Sequence, residues 1–342
     1  MIPIQNIYYM LSYAFQVLNE QGYKNIATEQ FNNTGELMAA ILEKGIAIQL
    51  KRGLGKEYIL QTEALSSLRG KIDIAESIKT QSMLRKQLIC TYDEFSVNSI
   101  MNRIIKSTVE LLLRSNISKQ RKKNLRKLMV YFSEVDFIDL YTVNWNVQYN
   151  RNNQTYHMLI SICYLVVKGL LQTQSNGHTE LMDFLDEQRM CRLFILEYYR
   201  KEFKNQFTAN ASQIPWQLDN EENSMLPVMQ SDIMLQSGEK VLIIDAKYYE
   251  HSTQVQFDKH TLHSGNLYQI FTYVKNKEYE LREKDHTVSG MLLYAKTDEE
   301  IYPNNVYQMS GNQITVRTLD LNLPFDEIAG QLNTIAKTHF DL

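Results

Sequence analysis

The sequence predicts an α/β (α+β) protein of two domains, and three observations lead to this prediction. The chain has 342 residues, more than one compact core usually holds. Helical and strand-like patterns both occur along it, with only 13 glycines and 5 prolines to interrupt them. The polar, asparagine-rich segment 144–154 is the predicted linker. We therefore expect an N-terminal domain of helices and a small sheet at 1–150, followed at 151–342 by a central mixed sheet flanked by helices.

Helices are predicted where apolar residues recur every three to four positions. The first is "IPIQNIYYMLSYAFQVL", in which Ile4, Ile7 and Leu11 share one face. Further helices are expected at 35–48, 97–113, 155–173, 185–206 and 266–280. Strand-like segments are expected at 49–75, from about 228, and at 290–296.

Composition narrows the functional classes. The formal charge of −3 gives no indication of a nucleic-acid partner, so binding to DNA or RNA would require a local basic surface. Three cysteines without a CxxC pair argue against a disulfide framework or a zinc site, and reduced thiols of a cytoplasmic protein are expected. The N-terminus does not resemble a signal peptide, and the apolar run 158–167 is too short to cross a bilayer. No membrane association is therefore expected.

The basic run "SKQRKKNLRKL" (118–128) is interpreted as a solvated helix face. The alternative interpretation is a contact with DNA phosphates or with an acidic rim of a partner protein.

The stretch "KVLIIDAKYYE" (240–250) is an apolar strand that ends in an acid and a base two residues apart. Side chains alternate along a strand, so Asp245 and Lys247 share one face. A two-residue turn at 237–238 would pair Asp232 with Ile243 and place Asp232 on that face, diagonal to Asp245. A three-residue loop would instead turn Asp232 to the opposite face.

This combination of side chains suits phosphodiester cleavage. Mg²⁺ takes one or two carboxylates, here Asp232 and Asp245, and the carbonyl of Ala246 is a candidate third ligand. Lys247 would orient or help to deprotonate the attacking water and stabilise the developing negative charge. The competing interpretation is a surface salt bridge at the end of a strand, because D-x-K is a short and common pattern.

Two helices add candidate residues. In "NLYQIFTYVK", Gln269 and Tyr273 lie on one side of a helix, as does the Q-x-x-x-Y element that follows the D-x-K strand in RecB-like nucleases. The alternative is a Tyr–Gln pair at the edge of the core. In "RMCRLFILEYYRKEF", Glu197 lies on an apolar stripe, where it could complete the metal site or extend to solvent.

Three segments together resemble the McrC family, the nuclease subunits of McrBC-type modification-dependent restriction systems. They are "IPIQNIYYMLSYAF", "YDEFSVNSIMNRIIK" and "LIIDAKYY…NLYQIFTY", and the resemblance runs to about residue 300. The family's metal-binding acids and lysine fall on Asp232, Asp245 and Lys247. The resemblance implies a PD-(D/E)xK restriction-endonuclease-like domain that uses Mg²⁺, or Mn²⁺ in its place.

The resemblance also implies a division of labour. McrC proteins work with McrB, an AAA+ GTPase ring that reads modified DNA, and this chain has no GxxxxGK[ST] motif of its own. GTP is therefore expected to bind the partner, and the N-terminal domain is expected to dock to the ring and stimulate its GTPase, with 49–75 as the candidate insertion element. Double-stranded DNA with modified cytosine is the implied substrate, and cutting both strands would suit two nuclease domains acting together.

The favoured hypothesis is a Mg²⁺-dependent endonuclease subunit of a GTP-dependent, methylated-DNA-specific restriction complex. Two other functions remain as alternatives. One is a stand-alone RecB-like repair nuclease, which would cut unmodified DNA without a partner. The other is an inactive scaffold that only regulates the motor; such a scaffold would not need Asp232, Asp245 and Lys247 on one face.

Overall fold

A computed structural model of the chain describes residues 3–19, 23, 26, 29–149, 154–176, 188–220, 225–247, 254–256, 259–296 and 302–342. The first part of the chain forms helices α1 (Ile4–Ala14) and α2 (Thr34–Arg52), strands β1 (Glu57–Leu65) and β2 (Lys71–Asp73), helix α3 (Ile74–Lys79), strand β3 (Leu88–Ser96), and helices α4 (Ile100–Arg114), α5 (Lys119–Met129) and α6 (Gln154–Asn176). The remainder forms helix α7 (Gln188–Glu202), strands β4 (Thr208–Asn210), β5 (Gln213–Ile214), β6 (Met229–Gln230), β7 (Ile233–Ser237), β8 (Lys240–Lys247), β9 (Gln254–Gln256) and β10 (Lys259–Thr261), helix α8 (Ser264–Glu280), strands β11 (Thr287–Ala295), β12 (Asn305–Met309) and β13 (Asn312–Leu319), and helix α9 (Phe325–Phe340).

The mixed α/β architecture and the predicted helices are confirmed. Helices α1, α2, α4, α6, α7 and α8 lie where apolar periodicity places them. Side-chain caps mark two of the starts: Asn33 accepts a hydrogen bond from the backbone N–H of Glu36, and Ser99 accepts one from Asn102. No described helix is both long enough and apolar enough to cross a membrane.

The chain divides into two compact units, Glu20–Gly177 and a second unit that joins Met1–Asn19 to His178–Leu342. These units differ from the predicted division at 150/151. Helix α1 belongs to the second unit, where Asn6 Nδ2 donates hydrogen bonds to the carbonyls of Leu321 (3.0 Å) and Leu323 (2.7 Å). Helix α6 belongs to the first unit because it packs on α2 and α4. Linker composition could not reveal either contact, and the roles assigned to the two domains stay predictions.

The first unit combines a helical core with a small antiparallel sheet of order β1-β3-β2. The fully buried Asn102 of α4 connects the two parts: its Nδ2 donates to the carbonyls of Gly55 (2.9 Å) and Val97 (2.8 Å), and its Oδ1 accepts from Tyr156 Oη (2.6 Å). This asparagine lies in the motif "SVNSIMNRIIK", so part of that motif has a structural role.

Only part of the basic run 118–128 is exposed to solvent. Arg121 of α5 lies among three acids of the same unit, with Nη2 2.8 Å from Glu29, Nε 3.6 Å from Glu36 and Nη1 2.9 Å from Glu43. Its guanidinium therefore fixes α5 to α2, whereas Lys119, Lys123, Arg126 and Lys127 are exposed as expected.

The second unit is built on a six-stranded mixed sheet of order β12-β13-β11-β8-β7-β4. Strand β8 lies inside it, parallel to β11 and antiparallel to β7. One face packs on α8, where Val241 and Ile243 of β8 meet Ile270 and Val274 in an apolar cluster. The strand is buried on both faces, which explains its continuous apolar run.

Gly290 of β11 allows α8 to pack closely against the sheet. A Cβ atom there would lie 2.8 Å from Ile270, 2.9 Å from Val274 and 2.9 Å from Ile314. We expect Gly290→Ala to lower the free energy of unfolding, measured by urea denaturation, by about 1–3 kcal/mol because the core becomes overpacked. Gly330→Ala is the matched control: nothing lies within 4 Å of that position on α9, so it should stabilise the helix. Equal stability of the two variants would contradict this packing argument.

Candidate active site

The hairpin that carries the candidate acids turns one residue later than predicted. Ser237 pairs with Lys240, so Gly238 and Glu239 form the two-residue turn. Gly238 has a φ of 59°, a conformation that glycine adopts easily at the first position of a hairpin turn. The predicted turn at 237–238 is therefore wrong, although the predicted loop length is correct.

The later turn places Asp232 opposite Asp245, instead of opposite Ile243. The last paired residues are Ile233 and Ile244, and Asp232 lies one step beyond them. Moving a two-residue turn by one position shifts the register by two residues, and a shift by two preserves the face on which each side chain lies. The expectation that the two aspartates converge is therefore confirmed, with a more direct juxtaposition than the predicted diagonal one.

Asp232 is held from two directions. Its Oδ2 accepts a hydrogen bond from the backbone N–H of Ala246 (3.1 Å), and its Oδ1 lies 2.9 Å from Nη1 of Arg192 on α7. Within a strand the N–H and C=O of one residue point toward the same neighbouring strand. The carbonyl of Ala246 therefore faces the same side as Asp232, which is where a third oxygen ligand is predicted.

Asp245 and Lys247 form a buried ion pair at the carboxyl end of β8. Lys247 Nζ lies 2.8 Å from Asp245 Oδ2, and the two residues are only 6% and 1% exposed. The competing interpretation, a surface salt bridge, is therefore wrong about the location, although the two groups do pair. Burying two charges costs free energy that their mutual attraction does not reliably recover, so stability alone gives little reason to keep this pair.

A chain of hydrogen bonds orients Lys247. Its Nζ donates to Gln269 Oε1 (3.0 Å), and Gln269 Nε2 donates to Tyr273 Oη (2.9 Å). Both partners lie on α8, one turn apart, as the Q-x-x-x-Y spacing predicts. The sheet and α8 thus bring together the predicted residues Asp232, Asp245, Lys247, Gln269 and Tyr273.

The two aspartates interact strongly with each other. Burial, first of all, and then the hydrogen bond with Asp245 and its repulsion raise the pKa of Asp232 to about 7, although Arg192 and Lys247 oppose the rise. Because Asp232 shares its site with a second carboxyl group and has this raised pKa, it is partly protonated near neutral pH.

This donor set fits a hard divalent cation. The two carboxyl groups are close enough to share a proton, and a cation there would replace it, with the carbonyl of Ala246 as the candidate third ligand. The described residues contain no group of three or more His, Cys, Asp or Glu side chains that could hold a metal. The set therefore suits Mg²⁺ or Mn²⁺, which retain water ligands, better than a fully protein-ligated zinc.

Glu197, predicted as a further metal ligand, has a different partner in the structure. Arg200 Nη1 lies 2.6 Å from Glu197 Oε1, and the same guanidinium donates from Nε to the carbonyl of Ala209 (2.9 Å). Glu197 thus belongs to a network that joins α7 to β4, and it does not group with the two aspartates. The apolar stripe placed Glu197 on the inner side of α7, and the cation that it meets lies three residues further along the same helix.

The raised pKa of Asp232 predicts pH-dependent metal binding. The cation must displace a proton below pH 7, so the apparent affinity should fall by up to about tenfold for each pH unit below 7 and level off above it. Titration calorimetry with Ca²⁺ between pH 5.5 and 8.5, in buffers of different ionisation enthalpy, measures both the affinity and the proton release. An affinity that stays constant across this range would contradict the predicted proton displacement.

Sequence reasoning missed Arg192. Its spacing on α7 puts it beside the apolar stripe, and only the packing of α7 against β7 and β8 shows that it reaches Asp232. It also missed the buried Asn266, whose Nδ2 donates to Tyr294 Oη (2.9 Å). Tyr294 lies on β11 and pairs with Lys247 in the sheet. A polar residue in the first turn of α8 was the available signal.

Comparisons with known proteins identify similar sequences and structures. A family model described as "McrBC 5-methylcytosine restriction system component" matches residues 5–295. The type IV methyl-directed restriction enzyme EcoKMcrBC of Escherichia coli K12 is 29% identical over 329 residues, covering 94% of this chain and 93% of that protein.

Two solved assemblies from Thermococcus gammatolerans are also similar. One is a half-complex of McrB AAA+ hexamers with bound McrC, at a TM-score of 0.46 and 17% identity, with 97% of this chain and 76% of that chain covered. The other is the McrBC complex, at a TM-score of 0.37 and 22% identity, with 48% and 50% covered.

Proposed function

The chain belongs to the family of McrBC 5-methylcytosine restriction system components, and on this premise we propose that it is the endonuclease subunit of a GTP-dependent, methylated-DNA-specific restriction complex. The observation that carries the proposal is the buried cluster of Asp232, Asp245 and Lys247 at the carboxyl end of β8. The name of the E. coli relative, a methyl-directed restriction enzyme, supports the same substrate class.

The residues of the cluster have separable roles in phosphodiester hydrolysis. Asp232, Asp245 and the carbonyl of Ala246 would hold Mg²⁺, which when bound supplies Lewis-acid stabilisation and a more acidic water. Lys247 places a positive charge beside that site, where it can orient the attacking water and stabilise negative charge on the phosphate.

Gln269 and Tyr273 fix the position of Lys247. A lysine side chain is long and loses much rotamer freedom when it is fixed. Lys247 donates to Gln269, which is itself held by its hydrogen bond to Tyr273, so the lysine is positioned before substrate arrives. PD-(D/E)xK nucleases have a mixed sheet in which a hairpin and the following helix bring together two acids and a lysine. We assign the second unit to that fold. Two such units acting together would cut both strands.

The partner in this proposal is an McrB-like AAA+ GTPase ring, which binds GTP and reads the modified cytosine. The chain itself has no GxxxxGK[ST] motif to bind a nucleotide. In the first unit, β1 and β3 expose Tyr58, Leu60 and Phe95 on one face, and the rings of Tyr58 and Phe95 lie 5.0 Å apart. An exposed apolar surface of this kind marks an interaction site. We therefore extend the candidate insertion element from 49–75 to include β3.

Cleavage of methylated and unmethylated plasmid, with and without the partner GTPase and GTP, tests the proposal. We expect cleavage only when methylated DNA, partner, GTP and Mg²⁺ are all present. Cleavage of unmodified DNA by the chain alone would favour the stand-alone repair nuclease instead. No cleavage under any condition, together with no binding of divalent cations, would leave only the scaffold.

A further inference from the structure

Arg192 is the charged group at the site to which no role has been assigned. It reaches Asp232 from α7, and its side chain is 32% exposed, whereas the side chain of Asp232 is 9% exposed. The other cation, Lys247, is 6% exposed and bound to both Asp245 and Gln269. Of the two cations, Arg192 therefore borders solvent, from which a DNA phosphate could approach it.

The charges at the site explain why Arg192 should change partners. Two acids and two cations meet at the site, and their charges balance when both acids are ionised. A divalent cation on Asp232 and Asp245 would compete with the guanidinium for the carboxylate of Asp232 and repel it. A DNA phosphate brings the compensating negative charge, and its oxygens suit the planar guanidinium as well as carboxylate oxygens do.

We propose that Arg192 is a phosphate-binding residue of this site, which holds the Asp232 carboxylate in the metal-free protein and transfers to a DNA phosphate when cation and DNA bind. The inference rests on the proposed nuclease function and adds a substrate contact from α7. Arg192 thus weakens metal binding when DNA is absent and strengthens DNA binding when metal is present.

These opposite effects distinguish the proposal from a purely structural role. In the full-length chain, Arg192→Gln should tighten Ca²⁺ binding by about fivefold, because a repulsive and competing charge is removed. The same variant should weaken binding of a DNA duplex in Ca²⁺ by about tenfold, and reduce the slope of log affinity against log salt by about one. Arg192→Lys keeps the charge and should remain near wild type for Ca²⁺ while recovering part of the DNA affinity.

Calorimetry with Ca²⁺ at pH 8.5 and fluorescence anisotropy with labelled duplex measure the two affinities without any cleavage. Lys201→Gln is the matched control: it removes a cation from the same helix nine residues, or about 13 Å, further along the axis, and should change neither value. Thermal melting checks that each variant is folded.

The pattern of results separates the two levels of inference. Tighter Ca²⁺ binding together with weaker DNA binding in Arg192→Gln supports the proposal, and any other combination contradicts it. If the wild-type chain binds no Ca²⁺, or if Asp245→Asn leaves Ca²⁺ binding unchanged, the metal site itself fails and the proposed function fails with it. If Asp245→Asn abolishes Ca²⁺ binding while Arg192→Gln behaves as wild type, only the role of Arg192 is lost.

Discussion

Asp245→Asn and Lys247→Ala are each expected to abolish DNA cleavage, by about 10³-fold or more, while stimulation of the partner GTPase remains near wild type. The first variant removes a proposed metal ligand, and the second removes the charge proposed to face the scissile phosphate. Both residues lie in the second unit, whereas the apolar face proposed to meet the motor lies in the first.

Each single variant also leaves its partner as a buried, unpaired charge, which costs stability. The double variant Asp245→Asn with Lys247→Met removes both charges and keeps similar shapes. It should therefore melt closer to wild type than either single variant and still fail to cut DNA. Asp320→Asn is the control, because it breaks an ion pair with Lys296 (2.7 Å) in the same unit and should retain activity. A folded double variant that cuts DNA would refute the assignment of the site.

Replacing both Tyr58 and Leu60 with serine is expected to abolish stimulation of the partner GTPase while Ca²⁺ binding by the second unit is unchanged. The two side chains are 75% and 67% exposed, so their loss should have little effect on the free energy of unfolding. Exposed aromatic and aliphatic side chains that become buried against a partner contribute about 2 kcal/mol or more each when they are interface hot spots. Losing two should therefore weaken the complex by about 10³-fold, since every 1.4 kcal/mol is a factor of about ten.

GTP turnover by the partner, titrated with each variant, measures this effect, and anisotropy of a labelled chain gives the affinity of the complex. Val306→Ser is the matched control, since Val306 is 53% exposed on β12 of the other unit and should leave stimulation intact. If the double variant stimulates the partner as well as wild type does, the β1–β3 face is not the docking surface.

The candidate site illustrates which structural information is local in the sequence. Strand alternation placed Asp245 and Lys247 on one face, and helix periodicity placed Gln269 and Tyr273 on one side of α8. Both patterns depend only on neighbouring residues, so they hold whatever the tertiary structure is. The face of Asp232 was also predictable, because a two-residue turn keeps it even when the turn moves by one position.

The tertiary structure decided which groups meet. The register that sets Asp232 opposite Asp245 depends on whether glycine takes the first or the second position of the turn, and both positions are compatible with the sequence. Arg192 reaches Asp232 only because of the way α7 packs on the sheet, whereas Glu197 and Arg200 form a local pair, three residues apart on the same helix.

The same distinction applies to the fold. The sequence by itself determined the helices, the mixed α/β class and the strand that carries the acid and the lysine, because these follow from short-range periodicity. It did not determine that α1 packs in the second unit or that the charge pair is buried. Those features arise from contacts between residues distant in the chain, such as Asn6 with Leu321, which no local pattern encodes.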